Sequence, residues 1–203
     1  MTSRITLPPS ESALLTDGFV TEMLNLILHY DVEDDGQPET QQSLMVSRAL
    51  ISCLLGVNFQ LGTHDNAVLT ALLSHSLATT LASRILTKFN DGLTAAELKV
   101  FVKFFGDVFD SQSGLFFTSD LKVVIEICIR ELQDLPAVPL DVLRRGFVDL
   151  VELFLRSGMY EKLEFHRLAD LKGSLEALTS PDVADPFLLS RCTALLYDCR
   201  SIL

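Results

Sequence analysis

The sequence predicts an all-α protein of about nine helices that stack as an armadillo/HEAT-like α-solenoid. Apolar or small residues recur at helical spacing, one such run being Val46, Ala49, Leu50, Cys53, Leu54 and Val57. No comparable segment alternates apolar and polar residues with the period of two that is typical of strands. The predicted helix pairs repeat roughly every 45 to 54 residues, near the HEAT/armadillo period. We therefore expect one helical domain over residues 1–203.

Start and stop signals give the predicted helices their bounds. Asn90-Asp91-Gly92 ends one helix, and Thr94 with Glu97 forms a capping box that opens the next. Asp185 followed by Pro186 predicts the start of the last helix, because a capping side chain precedes a proline at the first helical position. The helices expected are at about 11–30, 41–57, 66–73, 75–89, 95–109, 119–134, 140–156, 165–178 and 187–201.

The connections contain residues that helices avoid. Gly36 and Pro38, in the acidic stretch Asp31–Glu39, predict an exposed loop, and Pro136 and Pro139 predict a break between two later helices. Asp65, next to His64, is more typical of an N-cap than of an acid/base pair.

Two segments predict the core. Residues 121–135 are apolar around most of the helix, which is typical of a helix buried between neighbours. The polar strip left on this helix is Lys122, Glu126, Arg130 and Gln133. A second stripe is Leu98, Phe101, Val102, Phe105, Val108 and Phe109. The phenylalanines between Phe101 and Phe117 could line a ligand pocket, but their helical spacing favours an aromatic core.

Composition excludes several classes of protein. Of the 203 residues 48% are hydrophobic and 21% charged, which argues against intrinsic disorder. The formal net charge is −11 and no basic run interleaved with aromatics occurs, so nucleic-acid binding is not expected. Asn66–Ser83 is uncharged but rich in polar groups, so no membrane insertion is expected. Met1–Pro9 shows no secretory signal, and we expect a cytoplasmic protein.

No catalytic signature is present, and we expect neither an enzyme nor a cofactor. Phosphate-binding glycine loops, a GxSxG elbow and HExxH spacing are all missing from the sequence. The cysteines, whose spacing matches no zinc site, are predicted to be buried free thiols: Cys53, Cys128, Cys192 and Cys199.

Basic residues are concentrated in the second half of the chain, with fourteen of the sixteen at or after Arg84. Each of them either lies on a solvated face with local ion pairs or binds a partner. Adjacent Arg144 and Arg145 gain nothing from the dipole near a helix start, so they require a partner within the chain or outside it. Replacing both by Glu distinguishes the two, because only an intramolecular role lowers the melting temperature. The candidate partner contacts are Lys122, Arg130, Arg144, Arg145, Arg156 and Arg167.

The stretch Phe116-Phe117-Thr118-Ser119-Asp120-Leu121, continuing through Arg130-Glu131-Leu132 and Asp134-Leu135, resembles a known family. It is similar to the leucine-rich, armadillo-like domain of the WISH/DIP/SPIN proteins, which include the Dip and Ldb-type endocytic proteins. His166-Arg167-Leu168 and Asp170-Leu171 resemble the family's next helix pair. The resemblance is strongest over residues 67–178. Unlike the animal proteins, this sequence has no SH3 domain or proline-rich tail, and it is short for the family's domain.

The resemblance implies a non-catalytic activator of the actin-related protein 2/3 complex. Such a protein promotes linear seed filaments without a preformed filament, with actin engaged indirectly through the complex. It also implies residence at the cortical actin cytoskeleton and endocytic actin patches. A general helical-repeat adaptor that binds another cytosolic protein is the alternative.

Overall fold

The computed structural model describes residues 17–30, 38–62, 66–111, 114–134, 141–180 and 185–200. Over these residues the protein is all-helical and contains no strand, so the all-α prediction is confirmed. The solenoid arrangement and the single domain stay predictions. The helices are α1 Asp17–His29, α2 Pro38–Gln60, α3 Ala67–Ser74, α4 Ala78–Asn90, α5 Ala95–Asp110, α6 Thr118–Asp134, α7 Asp141–Arg156, α8 Met159–Lys162, α9 Leu168–Ala177 and α10 Pro186–Asp198.

Several predicted helix ends are confirmed by their hydrogen bonds. Thr94 and Glu97 form the capping box: the Glu97 carboxylate accepts from the Thr94 backbone N–H at 3.0 Å, and the Thr94 hydroxyl accepts from the Glu97 N–H at 3.3 Å. α4 ends at Asn90, and Gly92 adopts a φ of +89°. The Asp185 carboxylate accepts from the Phe187 N–H at 2.9 Å, with Pro186 at the first helical position.

Other bounds differ from the sequence prediction. Pro38 was expected in a loop, but α2 begins at this residue. A proline can occupy the first helical turn because no intrahelical hydrogen bond is lost there. The N-cap of α3 is Asn66 and not the predicted Asp65, because the Asn66 side chain accepts from the Leu69 N–H at 3.1 Å. The predicted features at residues 11–16, Gly36, Leu135, Pro136 and Pro139 lie outside the described residues.

The chain between α7 and α9 departs most from the prediction. We expected a helix from residue 165, but a turn occupies residues 163–167 and α9 begins at Leu168. Glu164, Phe165 and Arg167 have φ values of +54°, +54° and +55°. A right-handed helix cannot pass through left-handed residues, so the helix starts only after Arg167. The short α8 was not predicted.

The chain divides into two compact units, Met1–Gly92 with Ser111–Leu115, and Leu93–Asp110 with Phe116–Leu203. In the first unit, α1 packs on α2 and α3, and α4 contacts all three. The core of this unit is formed by Val20, Leu24, Ile27, Ile51, Leu54, Leu55, Val68, Leu72, Leu81, Ile85 and Phe89.

The helix predicted from the run Val46–Val57 is confirmed, but that run is not the face that α2 buries. Its buried residues are Ser47, Ile51, Leu54, Leu55 and Asn58, so only Leu54 of the predicted run is buried. Residues of that run instead face outward, with Ala49 and Cys53 exposed. Apolar side chains lie on nearly every side of this helix, so its sequence period does not identify the side that packs. The Thr40–Gln60 part of α2 is long and apolar enough, by length and composition alone, to cross a membrane.

The second unit is centred on α7, which contacts α5, α6, α8 and α10. The predicted stripe of α5 is confirmed, since all its members are buried except the half-buried Val102. The aromatic core is confirmed except for Phe117, which is 61% exposed. Ring centroids lie 5.4 Å apart for Phe105 and Phe116, and 4.8 Å apart for Phe109 and Phe154. On α6 the buried residues are Leu121, Val124, Ile125, Ile127, Cys128, Ile129 and Leu132, as predicted for a central helix.

Three of the four cysteines are buried and one is exposed. Cys128, Cys192 and Cys199 are buried as predicted, whereas Cys53 on α2 is exposed. Burial raises the pKa of the Cys192 thiol to about 11, and it raises the pKa of Cys128 further. A thiol that is both inaccessible and protonated does not react with an aromatic disulfide reagent, because the thiolate is the nucleophile.

We therefore expect one thiol to react rapidly in the native protein and all four after unfolding in guanidinium. The absorbance of the released chromophore measures both numbers. Cys53→Ser should abolish the native reaction. Rapid native labelling that persists in Cys53→Ser would contradict the described burial of the other three.

Candidate partner-binding surface

The outward strip of α6 carries two of the predicted contact residues. Lys122 is half-buried, and the Arg130 side chain is 45% exposed. Arg130 donates to the neighbouring Glu131 carboxylate through Nε at 3.0 Å and Nη2 at 2.7 Å. An exposed pair of this kind contributes little to stability, so the guanidinium can exchange its partner at low cost. Val123 adds an apolar group that is 39% exposed.

The turn before α9 lies beside this strip. His166 Nε2 is 2.7 Å from Oε1 of Glu126, which joins the turn to the middle of α6. Tyr160 donates its hydroxyl hydrogen to the His166 carbonyl at 2.7 Å, and the Phe165 ring packs edge-on against the Tyr160 ring at 5.9 Å. These contacts hold a backbone conformation that non-glycine residues rarely adopt.

Arg167 lies at the end of the same turn. Its Nε donates to the Asp170 carboxylate at 2.6 Å, and both side chains are 47% exposed. This hydrogen bond raises the pKa of the Arg167 guanidinium, which also lies in the field of Glu126. Lys122, Arg130 and Arg167 are therefore cations that a partner can reach, although Arg130 and Arg167 each lie beside a carboxylate.

Arg145 on α7 has an intramolecular partner. Its Nε and Nη2 donate to the two oxygens of Asp185 at 2.7 and 2.9 Å, which is the bidentate geometry of a strong pair. The Asp185 side chain is 3% exposed, and the hydrogen bond from Arg145 lowers the pKa of its carboxyl group. The guanidinium also lies 4.8 Å from the ring centre of Phe187. The partner that the arginine pair requires is thus found for Arg145 inside the chain.

The neighbouring Arg144 is 9% exposed, so it presents almost no surface to another protein. Both arginines lie inside the second unit, where α7 packs against α5, α6 and α10. Their position in the sequence indicated that they need partners: Arg145 pairs with Asp185, and Arg144 is buried within the unit.

Arg156 belongs to a charge network that joins the end of α7 to α10. It donates to Glu152 at 2.6 Å and to Asp198 at 2.9 Å, and these hydrogen bonds raise the pKa of its guanidinium. Arg191 on α10 contacts Glu152 at 2.5 Å and Asp149 at 3.5 Å. Burial raises the pKa of Asp149, and the positive charge of Arg191 partly opposes this rise. The network links α10 to α7, and Arg156 takes part in it although its side chain is 52% exposed.

The residues on and beside the α6 strip form a partly exposed surface of polar and charged side chains. Within the described residues, no three His, Cys, Asp or Glu side chains are grouped so that they could hold a metal ion. Sequence reasoning missed the turn and the Glu126–His166 contact, because neither has a local signal. The Asp185–Pro186 dipeptide marked the cap of α10, but nothing in it indicated the second role of Asp185 with Arg145.

A family model described as the SPIN90/Ldb17 leucine-rich domain matches residues 16–171. The chain belongs to this family. The matched region contains α1 to α8 and all six predicted contact residues, whereas α10 with Asp185 lies beyond it. The SPIN90/Ldb17 leucine-rich domain is an adaptor-type, non-enzymatic domain consistent with an actin-related role. No curated protein sequence matches the chain significantly.

Proposed function

We propose that this chain is a non-catalytic activator of the actin-related protein 2/3 complex that promotes nucleation of linear seed filaments without a preformed filament. The observation that supports this role is the SPIN90/Ldb17 match, which extends over residues 16–171 and agrees with the motifs around Phe116–Leu135. The proposal includes a cytoplasmic location at cortical actin and endocytic patches.

The proposed mechanism is preferential binding. A protein without a catalytic group shifts a conformational equilibrium only if it binds one state more tightly than the other. Moving a complex from mostly inactive to mostly active requires a preference of about 10⁴-fold for the active state. Helices packed into compact units supply a rigid surface on which such a preference can be built.

Among the six candidate contacts, we assign Lys122, Arg130 and Arg167 to the partner and Arg144 and Arg145 to the fold. The first three lie on or beside the outward strip of α6, where an acidic partner can replace weak exposed pairs. Arg156 keeps an intramolecular role through Glu152 and Asp198.

Polymerisation of pyrene-labelled actin tests the activity directly. The purified protein and complex are mixed with monomeric actin and no preformed filament, and we expect a shortened lag phase. An unchanged time course would exclude the activator role. Imaging of single filaments should show unbranched products.

Two variants test the proposed contacts in the same assay. Lys122→Glu with Arg130→Glu reverses two charges on the α6 strip and should raise the protein concentration needed for half-maximal activation at least about tenfold. Lys99→Glu on α5 reverses an exposed cation away from this strip and is the matched control. An equal loss in both, or in neither, would reject the strip as the contact surface, and thermal melts should be unchanged in both.

The adaptor alternative rests on the same rigid helical surface. Recovery of the actin-related protein 2/3 complex from lysate by the immobilised chain supports activation. Recovery of a different cytosolic protein without the complex supports a general adaptor.

A further inference from the structure

A small cavity lies between α2 and α4 in the first unit. Residues on adjacent turns of the two helices line it: Leu44, Ser47, Arg48 and Ile51 on α2, and Arg84, Thr87 and Lys88 on α4. Ile51 and Ser47 form its buried part, whereas the three cations are half-buried or exposed. The cavity has a volume of about 40 Å³, which is room for roughly three water-sized groups.

The cavity collects cations in a part of the chain that has few of them. Residues 1–92 contain ten acidic and four basic residues, and three of the four basic residues line this one cavity. Arg84 and Lys88 are four positions apart on α4, and like charges at this spacing repel each other and weaken a helix. A ligand of opposite charge that completes the grouping would explain why it exists.

The donors that the cavity offers to a ligand are its cationic groups. The Ser47 hydroxyl donates to the Ile27 carbonyl at 3.4 Å, and the Thr87 hydroxyl donates to the Ser83 carbonyl at 3.0 Å. Both hydroxyl hydrogens are therefore in use, which leaves the N–H groups of two guanidiniums and one ammonium. Guanidinium N–H groups form parallel pairs that match two oxygens of one phosphate.

The contact of Arg48 with Asp91 indicates how an anion could enter. Arg48 Nη2 lies 2.8 Å from an Asp91 oxygen, and the two side chains are 47% and 31% exposed. An exposed pair of this kind contributes little to stability, so a stronger anion replaces the carboxylate at low cost. A phosphate monoester carries about 1.5 to 2 negative charges at pH 7 and three acceptor oxygens, so it can bind several cations at once. The same exchange applies to any exposed carboxylate that Arg84 or Lys88 contacts.

We propose that this cavity, the α2–α4 cation pocket, binds the phosphate of a phosphorylated serine or threonine side chain on a partner protein. Its volume of about 40 Å³ admits one phosphate group, whereas a nucleotide-sized ligand needs about 300 to 1,000 Å³. Leu44 and Ile51 add apolar atoms that can contact the carbon atoms of the phosphorylated residue. An anionic membrane is disfavoured as the ligand, because the chain has a net charge of −11.

The pocket is separate from the surface of the proposed function. All its lining residues belong to the first unit, whereas the α6 strip belongs to the second. Loss of phosphate binding and loss of actin nucleation are therefore expected to follow from different substitutions.

Nuclear magnetic resonance of the isotope-labelled full chain tests the pocket, with N-acetyl-O-phosphoserine amide as the probe. Saturable shifts at millimolar probe should be confined to amides around the pocket, and unphosphorylated N-acetylserine amide should cause none. Arg48→Gln with Arg84→Gln removes both guanidiniums and should weaken binding at least about tenfold. Lys88→Gln is the milder variant and should also weaken it.

Lys99→Gln on α5 removes an exposed cation of the second unit and is the matched control, which should bind the probe as the wild type does. Thermal melts establish which variants are folded. Equal shifts from the unphosphorylated probe, or an affinity unchanged in every folded pocket variant, would overturn the proposal. Co-sedimentation of the wild type with phosphatidylserine vesicles, without binding of the probe, would also overturn it and assign the pocket to a membrane.

Discussion

Arg145→Glu is expected to destabilise the protein by about 2 to 4 kcal/mol, seen as a lower melting temperature. The substitution removes two charge-assisted hydrogen bonds at 2.7 and 2.9 Å. It also places a second carboxylate against Asp185, whose side chain is 3% exposed and cannot recover its hydration. Part of the loss is screened because the Arg145 side chain is 43% exposed.

The pH dependence distinguishes this ion pair from simple packing. The hydrogen bond from Arg145 lowers the pKa of Asp185 in the folded protein. The pair therefore stabilises the fold above the unfolded carboxyl pKa of about 3.9, and this stabilisation is lost as the pH falls towards the lower folded value. The difference in melting temperature between wild type and Arg145→Glu should shrink over that acidic range.

Lys99→Glu is the matched control for Arg145→Glu, since it reverses an exposed charge in the same unit. Its melt should be close to that of the wild type. An unchanged melt for Arg145→Glu would return Arg145 to the set of candidate partner contacts. Replacing Arg144 as well should add to the loss, because Arg144 is buried.

Gly146→Ala is expected to cost about 1 to 3 kcal/mol, although alanine is the better helix former. A Cβ at this position would lie 2.6 Å from Leu98 Cδ2 and 2.9 Å from Leu98 Cγ. Leu98 is fully buried, so it cannot move away without displacing its neighbours. The close approach of α5 and α7 therefore depends on the missing side chain.

Gly173→Ala on α9 is the matched control for this glycine, because no atom lies within 4 Å of the added Cβ. It should stabilise the protein by about 0.5 to 1 kcal/mol through helix propensity alone. Chemical denaturation of both variants measures the free energy of unfolding, which should fall in Gly146→Ala and rise in Gly173→Ala. A Gly146→Ala protein as stable as the wild type would mean that Leu98 has room to shift.

Much of the fold could be predicted from local patterns. The capping box at Thr94 was confirmed, because its hydrogen bonds join residues only three positions apart. The stripe of α5 was confirmed, because this helix combines a clear polar face with a clear apolar one. α2 has no such contrast, so the apolar run that predicted this helix did not identify the face that it buries. The turn at Glu164–Arg167 could not be foreseen, since three non-glycine residues with positive φ are stabilised by distant groups such as Glu126.

The candidate site was predicted less completely, for a related reason. Residue type and helix position indicated that Arg145 needs a partner, but its carboxylate lies 40 residues further along the chain. Only tertiary packing separates cations that complete the fold from those that another protein can reach. The structure therefore distinguishes Arg145, which pairs with the buried carboxylate of Asp185, from Arg130, whose side chain and pair with Glu131 are exposed.

The two roles of Asp185 affect how α10 unfolds locally. The same carboxylate caps the first turn of α10 and holds Arg145 of α7. Fraying of that turn would remove the cap and the ion pair together, so the usual low-energy opening of a helix terminus is not available here. Detachment of α10 and exposure of the α7 face beneath it become a single cooperative event. The amides around Arg145 and Asp185, 40 positions apart in the sequence, should therefore exchange with similar protection.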